Sequence, residues 1–468
     1  MIVDGGEPGH IRIIRATRRG ALVPGPVPSP SVATPDGFLM LFTNDWQPVE
    51  AANRFMMDVR YRPMKSTRWQ NTQRASAQDL AQWWTYLGVN GIEWDRAQPE
   101  DIEEYANRMA DAVSPTTGLQ FSTSTIRRRV GTVETFYARA RREGLIAEPL
   151  GQDETRPGIP IGPGTAFLPH LGTATVPKQG KRRPRGRDPE KDPRPFRLKD
   201  LAAVLARLGP PIFAPDQSLL PWNPGTAARR NRLMAEVAYH TGMRGDEVAG
   251  ISAWDVLDKA RRLHSGTKWQ QYTLTVRTKG RASRGVVVSS VVLRALVLYH
   301  DVERAEAIQR AVWAAGEAGS SFRAPTELFV NGVDANLRDV GRPVSAETPS
   351  RAFTKAVLAE GLTVAREGFE LDPDTFDLLF DEDGKAVLRQ IVGAAHTFHD
   401  LRHTFAVLFY KSEVSRGNPE PWEKLRALLG HASAETTKNI YLRHVDVDEA
   451  SISDATAHRL RMDLHAYR

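Results

Sequence analysis

Residues 151 to 195 constrain this chain most. The run GIPIGPGTAF, followed by KRRPRGRDPEKDPRP, places Pro and Gly so densely that neither a helix nor a strand can be sustained. Such a stretch also has too little apolar surface to hold a core together. Ordered bodies are therefore expected on either side of it, and a chain of 468 residues is long enough for two to four, each burying its own core. Within the same stretch, KRRPRGR holds five positive charges in seven residues. It reads as a solvated hinge or as a basic strap lying on phosphates.

Upstream, Pro, Gly and small residues dominate the first fifty positions (ALVPGPVPSPSVATPDG), which predicts a flexible or extended arm. Between Ala75 and Gly144 three helical patterns follow one another. The first carries Leu80, Trp83, Trp84 and Leu87 at i, i+3, i+4 and i+7, one apolar stripe. The second opens at Pro99 and repeats the stripe with Ile102, Tyr105, Ala106 and Met109, while Glu100 and Asp101 suit the positive end of a helix dipole. The third starts at an N-cap, Ser122 or Ser124, and its apolar positions are Ile126, Val130, Val133, Tyr137 and Ala140, with Gly144 as the stop.

Beyond the linker the pattern is mixed. Helical stretches (LKDLAAVLARLG, NRLMAEVAYHTG) precede an alternating run, YTLTVRTKGRASRGVVV, which reads as two strands joined by a turn containing Lys-Gly. Residues 336 to 395 are locally acidic (FELDPDTFDLLFDEDG) and read as an insertion with its own hairpin. No repeat of fixed period is present, which argues against solenoids and propellers.

Composition narrows the chemistry. Sixty-three Lys and Arg against fifty-six Asp and Glu leave +7, a modest bias toward polyanions. With no cysteine, disulfide scaffolds, zinc-thiolate fingers, iron–sulfur clusters and a cysteine nucleophile are excluded. No uncharged apolar run approaches eighteen residues and the first residues lack the apolar stretch of a signal peptide, so a soluble cytoplasmic protein with no membrane partner is expected. His399 and His403 have the i, i+4 spacing of zinc-binding helices, but no Glu follows His399 and no third ligand is evident. Neither a Walker loop nor a GxSxG elbow occurs.

What remains is a spaced set: TGMRGDEV around Arg244, VRTKGR around Lys279, HDLRH around His399 and Arg402, LLGH around His431, and NIYLRH around Tyr441. In this order and spacing, behind a helical region and a basic linker, the set resembles the tyrosine recombinases, the phage-integrase family of site-specific DNA recombinases. The resemblance covers residues 60 to 450 and is strongest at the C-terminal end. It implies a mainly α fold with a small antiparallel β-sheet, in which a helical core-binding domain and a mixed α/β catalytic domain form a clamp around DNA. The boundaries expected are an N-terminal extension over 1–55, the core-binding domain over 56–150, the linker over 151–195, and the catalytic domain with its tail over 196–468.

The physical chemistry of the matched residues agrees with that expectation. A phosphodiester is attacked only when its anionic oxygens are neutralised, and two guanidiniums, Arg244 and Arg402, suit that task. Glu247, three residues beyond Arg244, can orient a guanidinium or simply serve as a helix-start charge. His399 shares a helical face with Arg402 and offers proton transfer, as does His431. His403 reads as a packing residue. By the resemblance, Tyr441 is the nucleophile, ten residues beyond His431 and one further than is usual in the family. Tyr410 reads as core, and Tyr467 lies near the C-terminal end. The family's proton donor to the leaving 5′ oxygen matches Lys279, with Lys268 as the other lysine in reach.

The resemblance implies transesterification through a 3′-phosphotyrosyl bond with no cofactor, neither metal nor nucleotide. The implied partners are duplex DNA at specific sites, a tetramer of this chain on two such sites, and accessory DNA-bending or directionality proteins, in a nucleoid-associated setting. Arg127, Arg128 and Arg129, and Lys181, Arg182 and Arg183 in the linker, are candidate DNA contacts, with a solvated face as the plainer reading of the first three. Two alternatives stay open: a type IB topoisomerase, and a catalytically silent DNA-binding protein descended from a recombinase.

Overall fold

The structure, a computed structural model, describes residues 11–15, 37–61, 69–114, 118–146, 194–214, 216, 218–222, 228–263, 270–277, 283–371, 379–381 and 383–430. The chain divides into two compact units, residues 1–190 with 367–389, and residues 191–366 with 390–468. The fold is mainly α with small antiparallel sheets. Among the described residues no helix is long and apolar enough to cross a membrane.

In the first unit, β1 (Arg12–Arg15) pairs antiparallel with β2 (Leu39–Phe42), Arg12 opposite Phe42. Composition reads this region as an extended arm, but Ile11, Phe38, Leu39 and Leu41 are buried. Leu39 and Leu41, two apart, take the same face of the strand and join the core. The backbone that β2 leaves unpaired is satisfied by side chains. Asn53, on α1 (Glu50–Tyr61), accepts from Leu41 N at 2.7 Å and donates to Leu41 O at 2.9 Å, and Gln73 accepts from Leu39 N at 3.1 Å. Helix α1 has no counterpart in the sequence reading.

Gln73 belongs to α2 (Trp69–Val89), which buries Leu80, Trp83, Trp84 and Leu87. Helix α3 (Pro99–Asp111) buries Ile102, Tyr105, Ala106 and Met109. Helix α4 (Thr123–Arg142) starts at Ser122, whose hydroxyl accepts from Thr125 N at 3.3 Å, and Gly144 follows its end at φ +69°. Trp83 is fully buried, and its indole N–H needs a partner. It donates to Tyr137 Oη at 3.1 Å, and that hydroxyl donates to Trp94 O at 2.7 Å.

In the second unit, α5 (Leu198–Leu208), α6 (Arg230–Thr241), α7 (Gly245–Ala249) and α8 (Ala253–Ala260) lead to β3 (Gln271–Arg277), which pairs antiparallel with β4 (Ser283–Ser289), Gln271 opposite Ser289. Tyr272, Leu274, Val276, Val286 and Val288 alternate into the core. Helix α9 (Ser290–Tyr299) continues through a π-helical turn, His300–Arg304, into α10 (Ala305–Glu317), and α11 (Thr348–Ala359) follows. Strands β5 (Thr363–Phe369) and β6 (Leu388–Ala394), at the two ends of the 367–389 segment that belongs to the first unit, pair with each other. Helices α12 (Phe398–Ser415) and α13 (Pro421–Leu429) close the described part. Helix α12 is buried from Asp400 to Phe409 without interruption, so it is a central helix packed on every side.

Candidate active site

Helix α6 ends because Gly242 takes the left-handed conformation, φ +66°, and donates from its N–H to Ala238 O at 2.9 Å. Met243 is buried, and Arg244 follows in extended geometry as the cap residue of α7. Glu247, one turn along α7, accepts from Arg244 N at 2.9 Å and from Arg244 Nη1 at 3.2 Å. Glu247 is 1% exposed while the Arg244 side chain is 34% exposed, so the carboxylate forms the floor and the guanidinium the surface.

Helix α12 opens with a capping box: Asp400 accepts from Thr397 N at 2.7 Å and from Thr397 Oγ1 at 3.2 Å. The box fixes the first turn, where His399 stands exposed. One turn on, Arg402 is 1% exposed. Its Nη1 donates to Gly242 O at 2.6 Å and its Nη2 to Leu429 O at 2.7 Å, short charge-assisted bonds to the ends of α6 and α13. A Cβ on Gly242 would stand 2.5 Å from Phe405 Cδ1 of α12, so the absent side chain is what lets the two elements approach this closely. The His403 ring lies edge-on to that of His399, centroids 4.6 Å apart.

The electrostatics follow from this packing. Desolvation by the surrounding protein, then the positive charges of Arg402 and Arg244, push the His399 pKa down to about 4. The imidazole is therefore neutral at pH 7 and able to accept a proton. Burial works to raise the Glu247 carboxyl, but hydrogen bonds from Arg284 and from the Arg244 backbone, with the charges of both arginines, hold it below the usual carboxylate range. The site thus presents a surface guanidinium, a neutral imidazole and a buried guanidinium, drawn from chain segments 160 residues apart.

Of the residues singled out by the sequence, Arg244, Glu247, His399 and Arg402 come together. Lys279, Lys268, His431, Tyr441, Tyr467, Lys181, Arg182 and Arg183 lie outside the described residues. Tyr410 is partly buried with its ring 4.1 Å from that of Trp422. The three consecutive arginines of α4 have different surroundings. Arg127 is exposed, Arg128 Nη1 meets the buried Asp79 carboxylate at 2.5 Å, and Arg129 is half-buried with its guanidinium 4.2 Å over the Phe121 ring. Asp79 also accepts from Thr132 Oγ1 at 2.8 Å.

Arg284 escaped the sequence reading although a signal existed. It is in phase with Val286 and Val288 on β4, the face that enters the core, and a guanidinium in that register needs buried acceptors.

Comparison with known proteins places this chain in a family. The model of the phage integrase family matches residues 218–448, and that of the phage integrase N-terminal SAM-like domain matches residues 62–144. Together the two span more than half of the chain, which belongs to the phage integrase family, the tyrosine recombinases. No curated protein matches the sequence. Among solved structures, XerH site-specific recombinase bound to palindromic difH substrate has 14% identity and a TM-score of 0.44, with 87% of this chain and 90% of that chain covered. A lambda integrase dimer bound to a COC′ core site has 15% identity and a TM-score of 0.41, with 84% and 94% covered. The Tn1549 transposon integrase in complex with transposon right end DNA has 14% identity and a TM-score of 0.40, with 89% and 99% covered.

Proposed function

We propose that this protein is a site-specific DNA recombinase that cleaves and rejoins duplex DNA through a 3′-phosphotyrosyl intermediate. The observation that carries the reading is the meeting of Arg244, His399 and Arg402, with a neutral imidazole beside two guanidiniums. That combination suits a phosphodiester. The cations neutralise the non-bridging oxygens, and the imidazole accepts a proton without first losing one.

In this reading the Tyr441 oxygen attacks the scissile phosphorus as its proton passes to His399. Negative charge grows on the phosphate oxygens, where Arg244 at the surface and Arg402 beneath it stabilise the transition state more than the ground state. His431 donates a further hydrogen bond to the same phosphate. The bond to the 5′ oxygen breaks and Lys279 supplies the proton that leaves with it. The phosphotyrosyl ester conserves the bond, so a 5′ hydroxyl of another strand can attack it, return the proton to the tyrosine and seal the new junction. Arg127, Arg128, Arg129 and the linker residues Lys181, Arg182 and Arg183 contact the DNA backbone, and four copies act on two sites.

The test works on an unknown target sequence. Wild type and Tyr441→Phe are incubated with fragmented genomic DNA from the protein's source and denatured in detergent, and the protein-linked DNA is sequenced at its junctions. Covalent DNA from wild type alone, clustered at one sequence, is expected. Adducts that persist in Tyr441→Phe would move the nucleophile elsewhere, adducts scattered over many sequences would replace recombination with DNA relaxation, and no adduct with DNA binding intact would refute the proposal.

A further inference from the structure

Arg284 is built into the site as firmly as Arg244 and has no assigned part in it. Its side chain is 10% exposed. Nη2 donates to Glu247 Oε2 at 2.9 Å, Nε to Glu247 Oε1 at 3.4 Å, and Nη1 to Leu428 O. Glu247 therefore stands between two guanidiniums, that of Arg244 34% exposed and that of Arg284 10%. The carbonyls of Leu428 and Leu429, consecutive at the end of α13, are each taken by a different arginine, Arg284 and Arg402. Next comes Gly430, left-handed at φ +66°, where a Cβ would stand 2.7 Å from Arg284 Cδ. The residue after that turn is His431.

We infer that Arg284 is a positioning residue for strand cleavage: it holds the Glu247 carboxylate in register for Arg244 and ties it to the end of α13. The inference rests on the recombinase reading above. One buried carboxylate cannot aim the Arg244 guanidinium unless it is itself held, and Arg284 holds it while bonding to the end of α13. A phosphate-binding guanidinium displaced by about 1 Å loses roughly a hundredfold in rate. Arg284 is thus expected to act on the chemical step while touching no DNA.

The groups that face Glu247 make the role separable from folding. They are Arg244 beside it, Arg284 from β4 and His399 from α12. Without Arg284 the buried carboxyl loses its strongest stabilising partner, and its pKa rises. Lowering the pH then protonates Glu247 and releases Arg244, so an acid limb appears at higher pH than the fall that protonation of His399 brings to wild type.

The experiment uses the full chain and a nicked duplex carrying the sequence found by adduct mapping, and follows covalent adduct formation across pH in wild type, Arg284→Met, Arg284→Lys, Glu247→Gln and the Arg284→Met, Glu247→Gln double variant. The double variant leaves no unpaired buried charge and keeps the test open if Arg284→Met is poorly folded. Arg284→Met is expected to form adduct about a hundredfold more slowly at pH 7, to recover toward alkaline pH, and to bind the duplex within about threefold of wild type. The double variant is expected to be no slower than the slower single variant and to show no acid limb beyond that of wild type, and Arg284→Lys to recover part of the rate. Arg284→Met within about threefold of wild type at every pH would overturn the inference, as would a loss independent of pH that merely follows the melting temperature. No adduct from wild type would instead refute the recombinase reading, and this role with it.

Discussion

Gly242→Ala tests the packing that brings the site together. At φ +66° a residue with a Cβ is disfavoured by about 1–2 kcal/mol from backbone sterics alone. The added methyl would also stand 2.5 Å from Phe405 Cδ1 and 2.9 Å from Leu429 Cδ2, both on buried residues that cannot swing into solvent. Overpacking of this kind adds about 1–3 kcal/mol. Gly361 is the matched control: at φ +73° it carries the same backbone preference, and a Cβ there meets nothing within 4 Å. For a body of this size each kcal/mol is about 2–4 °C in melting temperature. Gly242→Ala is therefore expected to lower the melting temperature by roughly 4–20 °C, and Gly361→Ala by roughly 2–8 °C, in calorimetry at one pH. Because Phe405 lies one turn from Arg402, the first variant should also weaken the 2.6 Å bond to Gly242 O and slow adduct formation, while the second should not. Equal shifts in the two variants would refute the claim that close contact between α12 and the end of α6 is what Gly242 secures.

The remaining predictions concern charge. With the His399 pKa near 4, adduct formation at subsaturating DNA should stay level from pH 7 to about 5 and fall only below that. An acid limb near pH 6.5 would refute the depressed His399 pKa. The same depression predicts that the His399 contribution to stability, complete above its ordinary 6.5, is lost as pH falls toward about 4, because the unfolded chain binds a proton that the folded site refuses. Arg128→Ala leaves the Asp79 carboxyl, 1% exposed, with Thr132 as its hydrogen-bond partner and should cost about 1–3 kcal/mol at pH 7 in urea unfolding. Burial already raises the Asp79 pKa, so that cost should shrink as the pH is lowered; a cost that grows instead would refute the buried-charge account.

Much of the framework was legible in the sequence because it is written within one or two helical turns. The stripes of α3 and α4, the Ser122 cap, the stop at Gly144 and the alternation of β3 and β4 all depend on neighbours a few residues away. The reach of Glu247 back to Arg244 is equally local, a spacing of three on a short helix. The β1–β2 pair and α1 were hidden because a Pro- and Gly-rich composition dominates the window around them. What orders those residues is burial of Phe38 and Leu41 against distant helices and backbone bonding by Asn53 and Gln73.

By itself the sequence determined the helices α2 to α4, the β3–β4 pair and the residue types the site draws upon, since periodicity, caps and motif order act through nearby positions. Only the tertiary structure decided that Arg402 is buried against Gly242 O and Leu429 O, that Arg284 shares Glu247 with Arg244, and that Arg128 faces Asp79. These contacts join positions 27 to 160 residues apart. Their partners are selected by which helices pack together, and a buried charge takes whatever acceptor that packing brings within reach.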